Sequence, residues 1–94
     1  MRLDTQEKKA LQHALCDIDG DAFIFGSRTD EQARGGDVDL LVLTDLDAFH
    51  VSRRVAVRFN MECEEKIDVV AMPRHDRSKE QEAFLRTLNL ERIK

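Results

Sequence analysis

The run Ala22-Phe23-Ile24-Phe25-Gly26-Ser27-Arg28, followed across residues 29–36 by Asp37-Val38-Asp39-Leu40-Leu41-Val42-Leu43-Thr44-Asp45, decides how the rest of the chain is read. Its first half predicts a strand that delivers a Gly-Ser turn, and its second half a strand that carries two carboxylates into an apolar run. Side chains alternate along a strand, so Asp37 and Asp39 share one face and Val38 takes the other. Like charges on one face cost stability and strands are depleted in Asp, so folding alone does not explain the pair. A divalent cation does. Mg²⁺ takes carboxylate oxygens, keeps several waters and completes its shell with substrate phosphates. Gly26-Ser27 supplies what phosphates need: a backbone that a ligand can approach closely, a hydroxyl, and the N–H groups of a turn.

Outward from this stretch, the apolar spacing predicts alternating helices and strands. Asp4 to Asp19 reads as an amphipathic helix, opened by an Asp4/Glu7 capping box and buried along Leu11, Ala14, Leu15 and Ile18. Gly20 ends it in a left-handed conformation. Ala22 to Phe25 is a strand whose unbroken apolar character predicts burial on both faces. A brief helix runs from Arg28 to Ala33 with Ser27 at its N-terminus, and Gly35-Gly36 turns the chain into a central strand, Asp37 to Leu43. That strand sets Leu41 and Leu43 on the carboxylate side and Leu40 and Val42 on the other. Thr44 or Asp45 caps a long helix from about Leu46 to Cys63, with Ala48, Phe49, Val51, Ser52, Val55, Ala56, Phe59 and Cys63 on one broad face. Arg53, Arg54 and Arg58 fall outside that face, and Val57 and Met61 are stranded on the polar side. Ile67 to Ala71 is the third strand. Beyond Pro73, a Ser78/Gln81 capping box opens a last helix through Ala83, Phe84, Leu85 and Leu88, with Leu90 and Ile93 partly exposed on it. The order α-β-α-β-α-β-α predicts an α/β (α+β) domain: a small mixed sheet of about three strands flanked by helices.

Ninety-four residues predict a single domain, 1–94. A formal charge of -4 and a pI near 5.3 exclude a general basic surface for nucleic acid. Cys16 and Cys63 fall in apolar register within predicted helices and lack metal-ligand spacing, so both are expected as reduced core residues of a cytoplasmic protein. The first residues form no apolar leader, and no run approaches the roughly 18 residues of a membrane span.

Phe25-Gly26-Ser27-Arg28 with Asp37-Val38-Asp39-Leu40 resembles the signature of the DNA polymerase beta-like nucleotidyltransferase superfamily, and the small size points to its minimal nucleotidyltransferase branch. The resemblance spans Phe23 to about Ala71, and the combination is more specific than any of its parts. It implies the polymerase beta palm-like fold, with a third carboxylate on a later strand, here Asp68 in Lys66-Ile67-Asp68-Val69-Val70. In that family Asp37 and Asp39 would ligate two Mg²⁺ ions, for which Mn²⁺ substitutes, and Asp68 would complete the site and accept the acceptor's proton. Read without the family, Asp68 is also a solvent-facing carboxylate on an edge strand. Gly26, Ser27 and Arg28 would hold the triphosphate of ATP, though Ser27 serves equally as a helix cap. Many family members carry a second Arg and then a Gly where this chain has Asp30 and Glu31; Arg34 is the other cation nearby in sequence.

The resemblance further implies transfer of AMP from ATP to a hydroxyl of a partner protein, as in antitoxins paired with a helical HEPN-type toxin. Two other functions stay open: a non-catalytic antitoxin that neutralises its partner by contact, and a transferase acting on a small, aminoglycoside-like molecule. His13, His50 and His75 form no ligand set in sequence, and the Arg74-His75-Asp76 loop is the best placed of the remaining segments to touch substrate. Arg53, Arg54 and Arg58 offer either a docking patch for an acidic partner or a solvated helix face.

Overall fold

A computed structural model describes residues 3–26 and 37–94. Among them are α1 (Thr5–Leu15), β1 (Asp21–Phe25), β2 (Val38–Leu43), α2 (Ala48–Glu62), β3 (Ile67–Met72), α3 (Lys79–Arg86) and β4 (Glu91–Arg92). The strands form one mixed sheet in the order β3-β2-β1-β4, with β2 and β3 parallel and β1 antiparallel to both β2 and β4. The chain is thus a small mixed α+β domain whose sheet is flanked by helices. The helix expected over 28–33 and the Gly35-Gly36 turn lie outside the described residues.

Two of the three helix starts are where local chemistry puts them. Asp4 Oδ1 accepts from Glu7 N at 2.7 Å while Asp4 N donates to Glu7 Oε1 at 3.0 Å. Ser78 and Gln81 make the same reciprocal pair at 3.1 and 2.9 Å, each satisfying two helix-end donors. The third start differs from expectation. Asp47, not Thr44 or Asp45, caps α2 and accepts from His50 N at 2.9 Å. Thr44 is buried and otherwise engaged: its hydroxyl donates to Asp19 O at 2.7 Å and accepts from Leu46 N at 3.1 Å.

Other boundaries also move. Helix α1 stops at Leu15, because Ile18 N turns back to Leu15 O at 3.1 Å and drops the Ile18 side chain into the core. Lys94 Nζ donates to the Leu15 and Ile18 carbonyls there, a cation at the negative end of a helix. Gly20 is not left-handed; a Cβ on it would sit 2.5 Å from Leu43 O, so it is the close approach of β2 that selects glycine. Cys16 is exposed at the end of α1 rather than in the core, whereas Cys63 is buried at the end of α2.

The core fills one face of the sheet. Ala10, Leu11, Ala14, Leu15 and Ile18 from α1 and its exit meet Val51, Val55, Phe59 and Cys63 from α2 over Ala22, Ile24, Val38, Leu40, Val42 and Ile67. Strand β1 accordingly alternates, with Ala22 and Ile24 buried and Phe23 and Phe25 half-buried, instead of being covered on both faces. Fully buried Leu41 lies on the second face, and there Phe84 of α3 meets Phe25 edge-on at 6.3 Å. Strand β4 was not expected. Helix α3 ends at Arg86, with Thr87 as its cap, and the segment carrying Leu90 and Ile93 is not helical: Glu91 and Arg92 pair with Ile24 and Phe23. No helix among the described residues is long and apolar enough to cross a membrane.

Candidate functional site

The hydrophobic pattern fixes where the carboxylates point. Val38 and Ile67 are register partners in the parallel β2–β3 pair and are buried beneath the helices. One residue later in each strand, side chains must face the other way. Asp39 and Asp68 are those residues, and they too are register partners. Asp37 stands two residues before Asp39 and so shares its face. All three carboxylates, on adjoining strands near their N-terminal ends, look out from the side of the sheet that α1 and α2 leave free. Asp68 lies on the edge strand and is exposed to solvent; Asp37 and Asp39 are half-buried.

Such proximity has an electrostatic cost. Burial pushes the Asp39 carboxyl above the usual carboxylate range, and the negative charges of Asp68 and then Asp37 push it further. Lys66 offers partial relief, its ammonium 3.7 Å from Asp37 Oδ2, but both side chains are largely solvated and the pair is weak. Among the described residues, no three His, Cys, Asp or Glu side chains are gathered into a metal-holding group. The three aspartates share a face and a field without converging on one point. Their chemistry nonetheless fits a hard divalent cation: acceptor-only oxygens that repel one another, with only the weak Lys66 contact to offset them among the described residues.

Gly26 closes the site on the side of β1. Its φ of 74° is left-handed, and a Cβ built on it would run into Asp39 Oδ2. Glycine is required here twice over, for the turn and for the carboxylate beside it. Gly26→Ala is expected to cost the roughly 1–2 kcal/mol of a left-handed non-glycine residue and to rotate the Asp39 carboxylate. A thermal melt should show Tm falling by about 4–15 °C; an unchanged melt would mean that this turn carries no such constraint.

Ser27 and Arg28, the other phosphate-binding candidates, lie outside the described residues, as do Asp30, Glu31 and Arg34. The histidines do not come together: His13 pairs with Glu62 at 2.7 Å, His50 with Asp47 at 3.1 Å, and His75 is on an exposed loop. That loop, with Arg74 bound to Asp19 at 3.0 Å, follows the C-terminal end of β3, whereas Asp68 stands at its start. It is therefore not beside the carboxylates. Arg54 and Arg58 both bind Asp17, so neither is a free docking cation.

Two aromatic residues adjoin the site. Phe25 is the antiparallel register partner of Asp39, and Phe84, edge-on to Phe25, is partly exposed. Phe25 follows from strand pairing, but the docking of Phe84 is tertiary and left no local signal. A separate groove of about 440 Å³, between α1 and the C-terminal segment, is lined by Leu3, Leu11, Leu15 and Ile93 and contains none of the candidate residues. Compared with known proteins, the chain matches no protein-family model and no curated protein.

Proposed function

We propose that this chain is a nucleotidyltransferase that moves AMP from ATP to a hydroxyl of a partner protein, as the antitoxin half of a toxin–antitoxin pair. The observation that supports this most is the alignment of Asp39 with Asp68 across two parallel strands, with Asp37 beside them, on a face that folding would leave apolar or neutral. Asp37, Asp39 and Asp68 would hold Mg²⁺ or Mn²⁺. Two such ions would offset the charge of the triphosphate and stabilise the attacking hydroxyl oxygen and the pyrophosphate that leaves as the α–β bond breaks. The chain's own residues do the rest. Gly26 lets backbone and phosphate approach without a side chain between them, and Ser27 and Arg28, next in sequence, supply a hydroxyl and a cation. Asp68, the most accessible of the three carboxylates, takes the proton from the acceptor hydroxyl at a carboxylate oxygen.

The test uses ATP labelled at the α-phosphate, MgCl₂, the purified chain and an extract of its source cells. A labelled protein should appear, heavier by AMP in mass spectrometry, and should be absent with γ-labelled ATP, with chelator, or with Asp37→Asn/Asp39→Asn. Label surviving the double substitution, or arriving from the γ-position, would sink the proposal. Exposed apolar residues on α2 favour a second reading, neutralisation by contact alone. It predicts that the double variant protects cells from the partner as well as the parent chain does.

A further inference from the structure

Four of the five large apolar side chains that stand exposed among the described residues lie on α2 or just before it: Leu46, Phe49, Val57 and Met61. Phe49, Val57 and Met61 are 67%, 56% and 79% exposed, and with Arg53 they recur at four-residue intervals. Residues so spaced form a single oblique ridge along a helix, the kind that packs into the groove of a second helix. The ridge points away from the core, since Val51, Val55 and Phe59 occupy the opposite side of α2. From Phe49 to Met61 it runs about 18 Å at 1.5 Å per residue.

The charge on the ridge selects the occupant. Arg54 and Arg58 share the single carboxylate of Asp17, while Arg53 has no ion-pair partner among the described residues and sits between Phe49 and Val57. A second copy of the chain is disfavoured. An antiparallel pairing that sets Phe49 against Met61 of the second copy leaves the two Arg53 side chains only about 6 Å apart along the axis, inside the Debye length of roughly 8 Å at physiological salt. A parallel pairing sets them face to face. In both of these registers, like charges meet in a partly desolvated seam. A helix from a different protein, with apolar residues at four-residue spacing and a carboxylate at the step facing Arg53, meets no such repulsion.

We propose that the α2 ridge docks an amphipathic helix of another protein, its apolar side chains seated on Phe49, Val57 and Met61 and its carboxylate paired with Arg53. This surface does not depend on chemistry at the three aspartates, and failure of either proposal leaves the other standing.

The probe is a fluorescein-labelled, helix-stapled peptide of about four turns with Leu at four-residue spacing and one Glu in the ridge, compared with its Glu→Lys counterpart. Fluorescence anisotropy should show the Glu peptide binding about tenfold more tightly. Arg53→Glu should reverse the order, and Phe49→Ala/Met61→Ala should weaken both by at least tenfold. Equal affinity for the two peptides, no binding of either, or indifference to the double substitution would overturn the proposal. So would a wild-type dimer in sedimentation that Met61→Lys disperses, which would assign the ridge to self-association. All these side chains are exposed, and unchanged circular dichroism will establish that the variants fold.

Discussion

Asp39→Asn is expected to make the protein more stable while abolishing its proposed chemistry. In the folded chain the Asp39 carboxyl keeps its proton to a higher pH than in the unfolded chain, because burial and then the charges of Asp68 and Asp37 oppose its ionisation. Between the two pKa values the folded state binds more protons. Stability therefore falls as pH rises from the ordinary carboxylate range through the raised value, and stays lower above it. Asparagine keeps the shape and removes the charge. Relief of one like-charged cross-strand pair returns roughly 0.2–1 kcal/mol, a Tm increase of up to about 8 °C at pH 7 for a domain of this size. The gain should vanish near pH 3, where the wild-type carboxyl is itself protonated. Mg²⁺ should raise the Tm of the wild type and not of the variant. Transfer, in the assay described above, should fall on the order of 10²–10³-fold or more. A variant less stable than wild type at pH 7 would show that Asp39 is a structural carboxylate, and one that retains transfer would remove it from the site.

The same electrostatic oddity singled out the candidate site in sequence. Two aspartates separated by one residue at the start of an apolar strand conflict with strand propensity and with like-charge repulsion on one face, and such conflicts mark places where something other than folding sets the residue. Strand periodicity also put Asp37 and Asp39 on one face, but which face the helices cover was not readable, because the strand is apolar on both sides and Leu41 is as buried as Leu40; the packing of α1 and α2 over Val38, Leu40 and Ile67 decides it. The rest of what was not readable is also tertiary. Nothing local distinguishes Thr44 as a buried bridge from Thr44 as a helix cap; the carbonyl of Asp19, a distant partner in sequence, decides it. Gly20 carries the residue type of a helix terminator but answers to the carbonyl of Leu43. Strand β4 is two residues long and has no periodicity of its own; it forms because β1 offers an unpaired edge where the C-terminal segment returns. Cys16 lies in apolar register, yet α1 has already ended there and the periodic reading no longer holds.

Phe59→Ala is expected to cost more than any other single core truncation. Among the described residues Phe59 is the largest fully buried side chain, and it sits in the last turn of α2, between the helices and the buried face of the sheet. Truncating a buried Phe removes about 3–5 kcal/mol, part transfer energy and part cavity. For a domain of this length total stability is on the order of 5–14 kcal/mol, so Tm should fall by about 15–30 °C. The effect also reaches the site. Phe59 O accepts from Cys63 N at 2.9 Å, and neighbouring Asn60 holds the α2–β3 connection through the Cys63 and Glu65 carbonyls at 3.0 and 2.9 Å. Strand β3, which carries Asp68, begins immediately after, so the seating of this turn sets the register that aligns Asp68 with Asp39. Phe59→Leu retains most of the volume and should cost only about 1–2 kcal/mol. In urea melts followed by circular dichroism, the two variants should therefore separate clearly. Equal losses would mean that the turn tolerates a cavity and that β3 is held in register by its pairing to β2 alone.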